Sequence, residues 1–223
     1  GCARAAVIKA AREAIADGRP RLISVEPQDL LDEKGVRSGD SRAGVHYASN
    51  MCPSQGSMDI FVEPVLPRPE VLVCGASPVA IAIASLAPLI GLAVVVAAPL
   101  EEHARFGEAD AKLSGYELDA LGPAERYVVV ATQGRGDEAA LAAALAVPHR
   151  YLAFVGSHRK AAALRKSLAG KGSDPERLTA MRCPAGLDLG AVTPEEIALS
   201  IVAEIIEIRR HGQLGTAVRQ AGS

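Results

Sequence analysis

The chain has 223 residues, 49% of them hydrophobic and 22% charged, a composition that supports a packed core and excludes wholesale disorder. A net charge of -2, a pI of about 6.2 and only 3% aromatics with no Trp exclude the basic, base-stacking surface of a nucleic-acid binder. The longest apolar stretch, residues 71–100, is broken by Gly75, Pro78, Pro88, Gly91 and Pro99, so it reads as βαβ rather than a membrane span.

Residues 3–17 carry Val7, Ile8, Ala11, Ala14 and Ile15 at helical spacing, and Gly18 follows as a C-terminal cap. Residues 21–25 form a short strand candidate. Residues 26–50 are charged and weakly apolar, with Gly35, Gly39 and Gly44, and read as a long loop. In residues 57–63, Met58, Ile60 and Val62 alternate with Asp59, Phe61 and Glu63, the pattern of a strand with one apolar face. Pro64, Pro67 and Pro69 mark a stiff linker.

Beyond the linker, strands alternate with helices. Strands are expected at 71–74, 92–97, 127–131 and 151–155, with helices at 79–90, 137–146, 159–168 and 193–210, and 101–122 irregular. Thr193, Pro194 and Glu196 supply an N-cap, a first helical Pro and the far half of a capping box. The predicted fold is α/β, a doubly wound Rossmann-like parallel sheet over 67–223 preceded by a small α+β domain over 1–66. The chain opens on Gly1 rather than Met, directly into a helix, so the small domain is expected to be incomplete at its N-terminus. No signal peptide is expected, and cytoplasmic localisation with free thiols is expected.

A dinucleotide site requires G-x-G-x-x-G/A after its first strand. The equivalent positions here are Gly75, Ser77 and Ala80. Ser77 puts a side chain where the pyrophosphate passes, and Pro78 removes an N–H. The acid that grips the ribose at the end of the second strand is replaced by Ala97-Ala98-Pro99. NAD(P) in the standard mode is therefore not expected. Two other turns, Thr132-Gln133-Gly134-Arg135-Gly136-Asp137 and Gly156-Ser157-His158-Arg159-Lys160, each lie between a strand and a helix. They read either as phosphate cradles or as solvated surface turns. No GxxxxGK[ST] is present.

Cys2, Cys52, Cys74 and Cys183 form no CxxC pair, which argues against structural zinc or iron–sulfur. Cys74 reads as a buried core thiol and Cys183 as a loop thiol. Cys2 and Cys52 sit beside Gly or Pro at element edges, where a thiolate either is structural or binds a soft metal centre or carries sulfur. The histidines show no ligand or triad spacing, and no G-x-S-x-G elbow is present, so no catalytic residue is assigned.

Residues 151–209, and above all CPAGLDLGAVTPEEIALSI (183–201), resemble the xanthine dehydrogenase accessory protein family of the XdhC/CoxI type. Residues 71–99 resemble its Rossmann opening, MCPSQGSMDIFVEP (51–64) the end of its N-terminal domain, and Gly1-Cys2 its Gly-Cys segment. The segments MCPSQG and ATQGRGD (131–137) look more like the carbon monoxide dehydrogenase maturation branch. The resemblance implies a molybdenum hydroxylase maturation factor, a non-catalytic cofactor chaperone. It would bind molybdenum cofactor, as molybdopterin or its cytidine dinucleotide form, assist its sulfuration and insert it into an apo-enzyme. Cys2 and Cys52 would face the molybdenum. The implied cofactor contacts are Gly75, Ser77, Gln133, Gly134, Arg135, Gly156, Ser157 and Arg159. Implied partners are an apo-molybdenum hydroxylase and a cysteine desulfurase as sulfur donor, with membrane association only through the client; a homodimer is expected as the commonest soluble assembly. The chain departs from the family's GAGHVG-like turn at Gly75 to Ala80, from its acidic strand end at Ala98, and from its histidine at Gln133 or Arg135. The alternatives are a Rossmann-fold NAD(P)- or nucleotide-binding oxidoreductase, and a structural assembly partner without a small ligand.

Overall fold

The computed structural model describes residues 2–51, 56–107 and 109–221, with side chains over 4–51, 56–107 and 109–211. It forms two compact units, Gly1–Pro67 and Arg68–Ser223.

In the first unit the helix α1 (Cys2–Asp17) ends at Gly18, whose N–H donates to Ala14 O at 2.8 Å. The strand β1 (Arg21–Glu26) leads to α2 (Gln28–Glu33), β2 (Ser41–Arg42), β3 (Val45–Ser49) and β4 (Met58–Val62). The sheet order is β2-β3-β1-β4, with β1 parallel to β3 and antiparallel to β4. Ile23 and Val25 of β1 point to one face, where they pack with Ala10 of α1 and with Ile60 and Val62. The opposite face carries Ser24, which donates to Glu26 Oε1 at 2.8 Å, while Lys34 pairs with the same oxygen.

The expected loop at 26–50 is thus an ordered helix, hairpin and strand. All of β3 is half-buried, so it lacks the alternation that marks a strand, and its order comes from parallel pairing with β1.

The second unit contains β5 (Glu70–Cys74), α3 (Pro78–Leu86), β6 (Ala93–Ala98), β7 (Ala111–Ser114), β8 (Arg126–Val130), α4 (Asp137–Ala146), β9 (Tyr151–Phe154), α5 (His158–Gly170), α6 (Pro175–Ala180) and α7 (Pro194–Ala221). The five strands are all parallel, in the order β7-β6-β5-β8-β9. Alternate residues of β5 serve opposite faces. Val71 and Val73 pack with α3 and α7 through Ile83, Ile201 and Ile205. Leu72 and Cys74 pack with α4, α5 and α6 through Leu141, Leu168 and Leu178. Each such fully buried aliphatic chain stabilises the fold by roughly 1.5–3 kcal/mol of transfer free energy.

The capping box opening α7 is present: Glu196 N–H donates to Thr193 Oγ1 at 3.2 Å, and Thr193 N–H to Glu196 Oε2 at 3.0 Å. The helix expected over 79–90 instead gives way to a 3-10 turn, Ala87–Ile90, at Pro88, which cannot donate an intrahelical hydrogen bond. The stretch expected to be irregular holds β7, an edge strand whose Ala111, Lys112 and Ser114 are exposed and so show no apolar pattern. Beyond β9, residue 182 adds a parallel bridge to Ala153: Arg182 N–H donates to Leu152 O at 2.8 Å, and Phe154 N–H to Arg182 O at 2.9 Å. Among the described residues no helix is long and apolar enough to cross a membrane.

Candidate functional site

Strand order reverses between β5 and β8, the place where open α/β sheets usually receive a ligand at the carboxyl ends of their strands. The two turns meet there directly. A Cβ on Gly75 would lie 2.6 Å from Ala131 O and 2.8 Å from Thr132 Cα, and Gly75 holds φ at 112°. Only glycine permits that approach and that dihedral together. Ser77 N–H donates to Ala131 O at 3.3 Å, and its hydroxyl caps α3 by accepting from Ala80 N–H at 3.1 Å. Both Gly75 and Ser77 are buried, so this turn is engaged with protein. Arg105 adds a lid: its Nη1 donates to Ala76 O at 2.8 Å and pairs with Glu102 at 2.8 Å.

The β8–α4 turn is wound unusually tightly. Gln133, Gly134 and Gly136 hold φ at 54°, 92° and 83°. Inside the turn sits the carboxylate of Asp137, the first residue of α4. Its Oδ1 accepts from the Thr132 hydroxyl and from Gly134 N–H at 3.2 Å, and Lys160 pairs with its Oδ2. Burial raises this carboxyl's pKa, but the Lys160 ammonium and the Thr132 hydroxyl more than offset that, and it is held below its ordinary value. The donors a phosphate would use are therefore occupied by the protein's own anion. Gln133, Gly134 and Arg135 lie on the surface, and Arg135 is paired with Glu102 at 3.3 Å.

The β9–α5 turn differs. Ser157 caps α5, accepting Lys160 N–H at 3.3 Å. A Cβ on Gly156 would fall 2.5 Å from the Phe154 ring, so the backbone lies close against that side chain. Ser157, His158 and Arg159 lie at the start of a 13-residue helix, where the helix dipole favours an anion. Arg159 is exposed and has no ion pair or hydrogen bond among the described residues, in contrast to Lys160, Arg135 and Arg105.

Beside this turn is a cavity of about 640 Å³, lined by Gly156 and His158 and by the loop over residues 184–191 with Ile197 and Ser200. That volume falls within the range of small-molecule sites. The loop is fixed to α7. Leu187 N–H donates to Ser200 O at 3.2 Å, and Gly186 N–H to Glu204 Oε2 at 3.0 Å. Cys183 Sγ donates to Gly156 O at 3.3 Å and joins the loop to the turn; burial pushes its thiol pKa up.

Of the expected contacts Gly156 lines this cavity, Ser157 and Arg159 lie at the start of α5 outside its lining, and Gly75 and Ser77 are inside the fold. The side chains of Cys2 and Cys52 lie outside the described residues. His158 and Asp188, which line the cavity, were not among the cofactor contacts expected from sequence. The available signal was the density of Gly186, Gly190 and Pro184 in the segment that carries the resemblance. Among the described residues no group of three or more His, Cys, Asp and Glu could hold a metal ion.

Residues 71–205 match the model of the XdhC Rossmann domain family. The chain is 27% identical over 221 residues to the uncharacterized protein YqeB of Escherichia coli (strain K12), covering 96% of this chain and 38% of that protein. It is 28% identical over 160 residues to a probable xanthine dehydrogenase subunit of Bacillus subtilis (strain 168), covering 68% of this chain and 46% of that protein. A crystal structure of a xanthine dehydrogenase from Bacillus halodurans superposes with a TM-score of 0.58 at 23% identity, covering 72% of this chain and 49% of that one, a likeness of fold. The chain spans less than half the length of each of these proteins.

Proposed function

From the premise that this chain belongs to the XdhC family, we propose that it serves maturation of a molybdenum hydroxylase, by binding molybdenum cofactor and presenting it to an apo-enzyme. The observation that carries the reading is Arg159, a cation without a partner among the described residues, in the first turn of α5 and next in sequence to His158, which lines a cavity of about 640 Å³. The phosphate of the pterin cargo suits the helix N-terminus and the Arg159 guanidinium. The ring system suits the cavity walls, with His158 and Asp188 as polar contacts at its edge. The client would be of the xanthine dehydrogenase or carbon monoxide dehydrogenase type, and a cysteine desulfurase would supply sulfur to the bound cargo. The thiols proposed for the metal are Cys2 and Cys52, on the resemblance alone; their side chains lie outside the described residues. Turnover is not part of this role. Neither is the nicotinamide chemistry of the alternative reading, whose glycine turn is taken up by the bonds of Ser77 to Ala131 and Ala80.

The test is molybdenum and pterin analysis of protein purified from a molybdenum-replete host, set beside the Arg159→Glu variant. Co-purifying molybdenum and pterin, reduced by about an order of magnitude in the variant, supports the reading. Protein that carries neither, yet binds NADPH tightly in calorimetry, overturns it.

A further inference from the structure

A second cavity, of about 510 Å³, lies at the amino end of the edge strand β9, the opposite rim of the sheet from the carboxyl-edge cavity. Tyr151 and Leu152 of β9 and Ile208 of α7 give it an apolar floor, and α6 with its N-cap contributes Asp174, Glu176 and Arg177. Arg150 and Arg182 complete the rim. Arg150 approaches Glu125 at 3.5 Å and Arg182 approaches Glu204 at 3.7 Å, and neither guanidinium makes a hydrogen bond among the described residues. Arg177 donates from Nη1 to Leu145 O at 2.5 Å, and its Nη2 makes no hydrogen bond among the described residues. The carboxylate behind Arg182 is itself committed: Glu204 is buried and accepts from the Tyr151 phenol and from Gly186 N–H. It holds Arg182 at the cavity from the core side without occupying the guanidinium donors.

We propose that this cavity binds a small, hydroxylated dianion, a sugar phosphate or a hydroxydicarboxylate. Three guanidinium forks line one space, and such a fork matches a phosphate or a carboxylate bidentately. Asp174 and Glu176 oppose a bare anion, because ionised carboxylates only accept hydrogen bonds. A ligand that turns hydroxyl groups toward them converts that repulsion into donor–acceptor contacts. The volume falls within the range of small-molecule sites, and the apolar floor suits a carbon skeleton between the two polar sides. The site shares no lining residue with the carboxyl-edge cavity and stands whether or not that one holds molybdenum cofactor.

Calorimetry on the purified chain compares glucose 6-phosphate with inorganic phosphate, and malate with succinate, so that each pair differs in its hydroxyl groups. Saturable binding of one hydroxylated anion, roughly tenfold tighter than its plain counterpart, is the expected result, and the two arms separate phosphate from carboxylate. Arg182→Gln and Arg150→Gln, with folding checked by circular dichroism, should each raise Kd roughly tenfold. Absence of saturable binding of both hydroxylated anions up to about millimolar concentration overturns the proposal. So does equal binding of the plain counterpart, or an affinity unchanged in R150Q and R182Q. If R182Q fails to fold, R150Q decides alone. Binding lost in Arg159→Glu but kept in R150Q puts the ligand at α5 and likewise overturns the proposal. Binding here with no molybdenum on the purified protein leaves this site standing while the cofactor reading falls.

Discussion

Glu204 of α7 accepts the backbone N–H of Gly186 at 3.0 Å, so a side chain buried in the core fixes the path of the loop that walls the carboxyl-edge cavity. The same Oε2 accepts the Tyr151 phenol at 2.5 Å, and Arg182 approaches Oε1 at 3.7 Å. Burial and this hydrogen bond push the Tyr151 pKa up. Replacing Glu204 by Ala leaves a buried phenol and a backbone N–H without an acceptor. We expect a loss of about 2–4 kcal/mol for Glu204→Ala and about 1 kcal/mol for Tyr151→Phe, read by denaturant melts. The two substitutions together should be less than additive, because they remove one shared bond.

Gly186 holds φ at 91°, and a Cβ there would meet Ser200 Oγ at 2.3 Å and Ile201 N at 2.9 Å. The hydroxyl can rotate away, but the α7 backbone cannot. Gly186→Ala is expected to lower Tm by several degrees, through about 1–3 kcal/mol of strain. Ser200→Ala relieves only the hydroxyl contact and should rescue only part of that loss.

The depressed pKa of Asp137 has a direct consequence in acid. A carboxyl that titrates lower in the folded state than its ordinary 3.8 contributes stability that is present above that value and is lost as pH falls toward the folded pKa. Melts between about pH 5 and pH 2 should show this loss in the native chain. Asp137→Asn should be less stable at neutral pH and show a shallower acid limb, because the titrating group is gone.

The described thiols should differ in reactivity. Burial pushes Cys74 up to about 12, and its side chain has no exposed surface. Iodoacetamide at neutral pH, followed by peptide mass spectrometry, should label Cys183 slowly and leave Cys74 unlabelled until the protein is denatured.

Arg159→Ala and Lys160→Ala separate the two cations at the start of α5. Arg159→Ala should weaken binding of inorganic phosphate or cofactor with little change in Tm. Lys160→Ala should lower Tm, because it strips the buried Asp137 carboxylate of its counter-ion. Calorimetry and thermal melts on both variants read the difference.

The sequence made the second unit legible because its strands β5, β6, β8 and β9 are buried on both faces and read as uninterrupted apolar runs. The departure of the turn at Ser77 and Pro78 from the usual glycine pattern was legible too, since side-chain volume and N–H count are read directly from residue type. The role of Asp137 was not. Its position in the sequence suits helix capping equally well, and only the left-handed backbone at Gln133 and Gly134 turns its carboxylate into the loop. The strands β3 and β7 escaped because each is ordered by pairing with a longer neighbour rather than by its own pattern. The 640 Å³ cavity depends on Glu204, Ser200 and Gly186, whose meeting no local spacing encodes.

Strand β9 would otherwise end the sheet with a row of unused backbone donors and acceptors, an invitation for another chain to add a strand. The parallel bridge at Arg182 takes up the Phe154 donor and the Leu152 acceptor and sets a guanidinium on the outermost position. The segment that leads into the cavity loop therefore also guards the rim of the sheet, and a substitution that loosens it would register first as aggregation.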